Sequence, residues 1–156
     1  MRDRASELIT PDYAGAIADR VCVHVWRGAV SVKAIQTTRR FVQHWDEDIR
    51  GVFVVIDACS LVPDEAARAE MSRLHDEAAL DFVTIVCEGS GFRAASIRAV
   101  LTGMHVLQQT PYQTKVFATV TDAAGWAARN YGSLLGALDL PRFVRDLRRR
   151  ADAKPA

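Results

Sequence analysis

The chain has 156 residues, 49% of them hydrophobic and 25% charged, with 20 basic against 19 acidic side chains. That length suits one domain, and that balance excludes collagen-like, mucin-like and wholly disordered readings. A net charge of +1 is far below that of a domain living on a nucleic-acid backbone, and the longest apolar run, Val52–Ile56, is far short of the roughly 20 residues a membrane span needs. The N-terminus lacks the apolar core of a secretory signal, so the expected location is the cytoplasm. Cys22, Cys59 and Cys87 are odd in number and far apart. They read as buried free thiols, not as a disulfide framework or a thiolate metal site.

In chain order, the first 15 residues carry little pattern beyond a short edge strand at 6–10. The run from Arg20 to Arg27 alternates around Val21, Val23 and Val25 and predicts a strand with one buried face. Gly28 ends it. A helix follows over 31–48, with Ser31 as its cap and Ile35, Thr38, Phe41, Val42 and Trp45 at helical spacing. Gly51 opens a continuous β-branched run to Asp57, which suits a central strand covered on both faces. Pro63, Asp64 and Glu65 start a second helix, where proline fits the first turn and the acids complement the dipole. Ala67, Met71, Leu74 and Ala78 mark its buried stripe.

A strand at 82–87 precedes the loop Glu88-Gly-Ser-Gly91 and a third helix over 92–109. Tyr112 to Val120 predicts another strand, and Thr121-Asp122 begins a short helix carrying Trp126. A Gly/Ser/Leu linker at 132–136 leads to a last amphipathic helix over 138–151. Strand–helix alternation of this kind predicts an α/β sheet with parallel neighbours.

The search for catalytic chemistry finds no set that can be assembled. His24, His44, His75 and His105 are isolated in sequence, with no HxH, HExxH or His/Cys cluster. No GxSxG elbow is present. Gly89-Ser-Gly-Phe-Arg93 runs from a strand into a helix and offers backbone N–H groups to an anion, but it is neither GxGxxG nor a Walker loop. A plain strand-to-helix turn is the simpler reading. Asp57 ends an apolar strand, where open α/β sheets bind ligands. A receiver-type phosphorylation site fails, because Arg27 and Gly28 stand where its early acidic pair belongs.

The stretch over 20–130 resembles a STAS domain, the fold of bacterial anti-sigma-factor antagonists and of sulfate-transporter cytoplasmic tails. The strand ending in Arg27-Gly28 ahead of a helix resembles the opening unit of that family. Val54-Val-Ile-Asp57 followed by Cys59-Ser-Leu-Val-Pro-Asp64-Glu65 resembles its "VxxDLSxVxxIDSSG". The strand Val83 to Cys87 again precedes a helix that begins in a loop. Val116-Phe-Ala-Thr-Val-Thr-Asp122-Ala-Ala-Gly-Trp126 resembles its closing unit, and Ala123-Ala-Gly-Trp126 is similar to STAS-like proteins grouped with Sec14-type lipid binders.

The resemblance implies a single STAS-like α/β domain, with a mixed four- or five-stranded sheet, helices packed mainly on one face and an extra C-terminal amphipathic helix. The expected division is an N-terminal segment over 1–15, the domain over 16–132, and a linker with the basic helix over 133–156. In the antagonists a partner kinase phosphorylates the hydroxyl after the second aspartate. Here Glu65 and Ala66 occupy that position and the next, and Ser60 is the nearest hydroxyl, so the resemblance implies either that the fixed charge of Glu65 holds the domain in one state or that the chain belongs to a branch with a different use. Acids in a first turn also stabilise a helix by themselves, with no partner needed.

Residues 139–156 hold six basic and three acidic side chains, a net +3, which leaves −2 on the remainder. Leu140, Phe143, Val144 and Leu147 form an apolar stripe on the same helix. Docking on its own domain is the simpler reading; a partner groove or an anionic membrane are the alternatives.

The expected function is a non-catalytic, regulatory protein-interaction module in bacterial signalling, with an anti-sigma, kinase-like or sensor protein as partner. The expected surface comprises Asp57, Ser60, Asp64, Glu65, Ser90, Phe92 and Arg93. No catalytic residue, metal or cofactor is assigned, and no nucleic acid is expected. The alternative is a small-molecule or lipid-binding domain using a cleft between helices, and an enzyme comes third. A homodimer stays open.

Overall fold

The computed structural model describes residues 7–28, 31–42, 48–57, 64–76, 79–107 and 109–155. Among these residues six strands form one sheet in chain order. They are β1 (Glu7–Ile9), β2 (Tyr13–Ala18), β3 (Val21–Trp26), β4 (Gly51–Ile56), β5 (Phe82–Cys87) and β6 (Gln113–Phe117). The first three pair antiparallel, and β3 to β6 pair parallel. The β2–β3 hairpin turns through Asp19 at φ 52°, a left-handed conformation that aspartate tolerates better than most residues.

The strand count exceeds the expected four or five. The strand that the sequence hides is β2, Tyr-Ala-Gly-Ala-Ile-Ala, which is dominated by alanine and glycine and has Ile17 as its single β-branched residue. Its pairing with β3 makes it a strand, and its small side chains leave room for a helix above it.

The helices are α1 (Val32–Val42), α2 (Glu65–Asp76), α3 (Phe92–Leu107), α4 (Val120–Leu135) and α5 (Leu140–Asp152). Each parallel connection from β3 to β6 steps one strand in the same direction. A constant crossover hand therefore puts α1, α2 and α3 on one face. Their core includes Cys22, Trp26, Ile35, Phe41, Val52, Val54, Ala67 and Leu101. After β6 the chain turns to the other face, where α4 and α5 bury Ala14, Ala16, Val23, Val25, Phe53, Phe82 and Trp126. Helices thus cover both faces, three against two, which qualifies the expectation of packing mainly on one. The same layering buries all of Val21–Trp26, where one buried face was expected.

Local chemistry explains the helix ends. The Ala34 N–H donates to Ser31 Oγ at 3.2 Å, and the Asp122 N–H donates to Thr119 Oγ1 at 3.1 Å. The expected linker at 132–136 is helical as far as Leu135. There α4 bends at Tyr131 (φ −139°, ψ 30°), whose ring stacks on Phe82 with centroids 4.6 Å apart. Gly136, at φ 56°, then ends the helix. The expected helical positions Trp45 and Ala78 lie outside the described residues, as do the side chains of Val42 and Leu74. Among the described residues no helix is long and apolar enough to cross a membrane.

Candidate functional site

The register aligns Trp26 with Ile56 and Ile56 with Cys87. The residues that follow, Arg27, Asp57 and Glu88, therefore leave the sheet in a row at the carboxyl end of three parallel strands. Two acids and one base make that row short of positive charge, and α5 supplies it. Arg148 Nε donates to Asp57 Oδ1 at 3.0 Å, and its Nη2 bonds both Asp57 Oδ1 and Glu88 Oε2, the latter at 2.6 Å. Arg27 Nε lies 3.5 Å from Asp57 Oδ2, at ion-pair range, and Arg27 Nη2 reaches Asp152 at 2.6 Å. Burial opposes the charge on Arg148, but the hydrogen bond and charge of Asp57, with those of Glu88, outweigh it and raise its pKa.

The basic helix thus docks on its own sheet. Leu140, Val144, Leu147 and Ala151 are buried in the core beneath it. Asp57, singled out in the sequence as a surface residue, has its carboxylate occupied by two guanidinium groups, and its side chain is 15% exposed. Arg27, Glu88 and Arg148 escaped the sequence reading. The signal for two of them was available: three successive apolar strands each end in a charged residue.

The remaining surface candidates belong to two helix starts on one face of the sheet. Asp64 Oδ1 accepts from the Ala67 N–H at 2.8 Å and so caps α2. Glu65 is exposed in the first turn, with Ala66 beside it. Ser90, Phe92 and Arg93 are exposed where β5 hands over to α3. Gly89 (φ 131°) and Gly91 (φ 91°) take backbone conformations closed to most side chains, and they frame Ser90. Arg98 Nη1 donates to the carbonyls of Cys87 and Gly89, each at 3.1 Å, and ties this loop back to α3. Phe92 is 89% exposed. Because α2 follows β4 and α3 follows β5, both starts rise from the same end of neighbouring strands. Ser60 lies outside the described residues.

A second polar cluster is buried under α1. Tyr13 Oη lies 2.5 Å from His24 Nδ1, and Cys22 Sγ lies 3.6 Å from His24 Nε2. His24 is thus a satisfied core residue. Burial pushes the Cys22 thiol well up, and burial also pushes the Tyr13 phenol well up, although a Thr38 hydrogen bond opposes the latter. A thiol held protonated and shielded from solvent is a poor nucleophile. Cys22 and Cys87 are free and buried; Cys59 and His44 lie outside the described residues, as do the side chains of His75 and His105. Among the described residues no three His, Cys, Asp or Glu side chains are grouped to hold a metal ion.

No family model matches the chain, and no curated protein matches it. Its structure is similar to the crystal structure of an uncharacterised DUF3478-family protein with a SpoIIAA-like fold from Shewanella loihica. The two share 16% identity with a TM-score of 0.48, over 73% of this chain and 90% of that one.

Proposed function

We propose that the chain is a non-catalytic, regulatory protein-interaction module. It docks a partner protein through the starts of α2 and α3, with Phe92 as anchor and Glu65, Ser90 and Arg93 around it. The observation that carries this reading is the exposure of Phe92 at the start of α3, just after a loop held by Arg98. Aromatic anchors with arginine neighbours dominate the binding energies of protein interfaces. At the carboxyl ends of β4 and β5, Asp57 and Glu88 are engaged in ion pairs with Arg148, which suits a structural use of these acids. Glu65, at the position of the antagonists' phosphoacceptor in the STAS resemblance, supplies a constant negative charge and suits a partner contact independent of phosphorylation.

A photo-reactive phenylalanine analogue at position 92 tests this in cells. A discrete cross-linked protein, lost on Glu65→Arg and absent with the analogue at the exposed Ala128 on α4, supports the surface. The absence of an adduct from position 92, or equal yields at both positions, overturns it.

A further inference from the structure

β6 is the last strand of the sheet, and among the described residues it pairs with β5 alone. The Gln113 N–H donates to the Asp81 carbonyl at 3.1 Å, so Gln113 turns its backbone groups toward β5, and by alternation so do Lys115 and Phe117. The N–H and C=O groups of Thr114 and Val116 therefore point outward. They open on a groove of about 840 Å³, walled by Thr102 and Val106 of α3 and by Trp126 and Asn130 of α4.

The two faces of this edge differ. On the α4 face, Lys115 is exposed and its Nζ lies 5.8 Å from the centre of the Trp126 ring. Two copies of β6 paired antiparallel about Lys115 would set two lysines opposite each other, so the edge is guarded against its own copy. It is open to a strand carrying a carboxylate there. On the α3 face, Thr114 Oγ1 is shielded from solvent and has no hydrogen-bond partner among the described residues, and Val106 is 78% exposed. The outward N–H and C=O groups of the edge find partners in an added strand.

We infer that β6 is a docking edge for an extended acidic segment of a partner protein, which joins the sheet as a further strand. Its side chains alternate, with acids toward Lys115 and apolar groups toward Val106. A lipid or small molecule would fill the cleft and leave the strand edge unused. A peptide accounts for the open backbone groups, the exposed Val106 and the cation together. This edge is separate from the helix starts at Glu65 and Phe92.

The test is an NMR titration of the isotope-labelled full chain with a blocked heptapeptide of alternating valine and glutamate, and with its valine–lysine counterpart. The glutamate peptide is expected to give saturable shifts over residues 112–117 and to bind roughly tenfold or more tighter than the lysine peptide. Thr114→Pro removes one outward N–H at an edge position where proline is tolerated, and is expected to weaken binding about tenfold. Lys115→Glu changes an exposed side chain and is expected to reverse the preference between the peptides, while Phe92→Asp leaves binding unchanged. Absence of shifts at roughly millimolar peptide, shifts confined to other surfaces, or an unaltered preference in Lys115→Glu overturns the inference. The Lys115→Glu result decides the matter if Thr114→Pro does not fold.

Discussion

Arg148 on α5 closes on Asp57 at the end of β4 across 91 positions of sequence, and the contact joins the last helix to the carboxyl end of the parallel strands. The same guanidinium holds Glu88 at the end of β5. One side chain thus clasps two neighbouring strands, and Arg27 completes the ring through Asp57 and Asp152.

Removal of either main partner leaves a partly buried charge with one opposite partner in place of two, Glu88 for Arg148 and Arg27 for Asp57. Asp57→Ala and Arg148→Ala are each expected to cost about 1–3 kcal/mol in urea unfolding, below a fully buried pair because the site is partly solvated. The double variant is expected to fall short of the sum by about 1–2 kcal/mol. Strict additivity would show that the two side chains act independently.

Docking of α5 makes a second prediction. Leu147 has no exposed surface and lies among the apolar residues of β2 and β3, whereas Arg145, two residues earlier on the opposite side of the helix, is exposed. Leu147→Ala is expected to destabilise by about 2–5 kcal/mol, and Arg145→Ala by less than about 0.5 kcal/mol. Equal midpoints in chemical denaturation would mean that α5 does not hold the sheet in solution.

Much of this architecture was legible in the sequence. The runs at 21–26, 51–56 and 82–87 are β-branched and bounded by turn residues, and each appears as a strand. Local patterning failed where tertiary pairing decides. Tyr13–Ala18 is a strand only because β3 lies beside it, and residues 132–135 stay helical because Leu134 and Leu135 are buried in the core. The charged row was half legible: Arg27, Asp57 and Glu88 each follow a strand, but nothing local announces that Arg148 comes back to meet them.

The buried tyrosine tests packing of another kind. A Cβ on Gly15 would lie 2.1 Å from Tyr13 Oη. That ring cannot swing away, because it is bound to His24 and packs 4.7 Å from Trp26. Gly15→Ala is expected to cost about 1–3 kcal/mol. At Gly103, exposed on α3, nothing lies within 4 Å of an added Cβ. Gly103→Ala is expected to stabilise by about 0.5–1 kcal/mol, since alanine loses less conformational entropy in a helix. Thermal unfolding of the two variants should shift in opposite directions.

Alkaline pH should unfold the chain in a traceable way. Burial holds the Cys22 thiol well above its ordinary 9.0, and the Tyr13 phenol well above its ordinary 10.0. As pH rises past those ordinary values the unfolded chain releases its protons while the folded chain keeps them, so stability falls. The stabilising contribution is complete below about pH 9 and is lost progressively above it, by about 1.4 kcal/mol per pH unit for each group. Cys22→Ala is expected to flatten the first part of that decline and Tyr13→Phe the second. An unchanged slope in both variants would mean that neither group stays protonated in the fold.

Phe92 separates stability from recognition. Its ring is 89% exposed, so its removal takes almost nothing from the core. It also opens a helix whose first turn holds no acid. An aspartate there meets the positive end of the helix dipole, so Phe92→Asp is expected to leave stability unchanged or raise it by about 0.3–1 kcal/mol. A residue kept solely for folding would not behave in this way, because replacing it would cost stability. If the partner surface at the starts of α2 and α3 is real, the same change abolishes cross-linking from a photo-reactive group at the neighbouring Ser90, while the unfolding midpoint holds or rises. A lower midpoint would instead make Phe92 part of the packing, and an undiminished adduct from position 90 would remove it as the anchor.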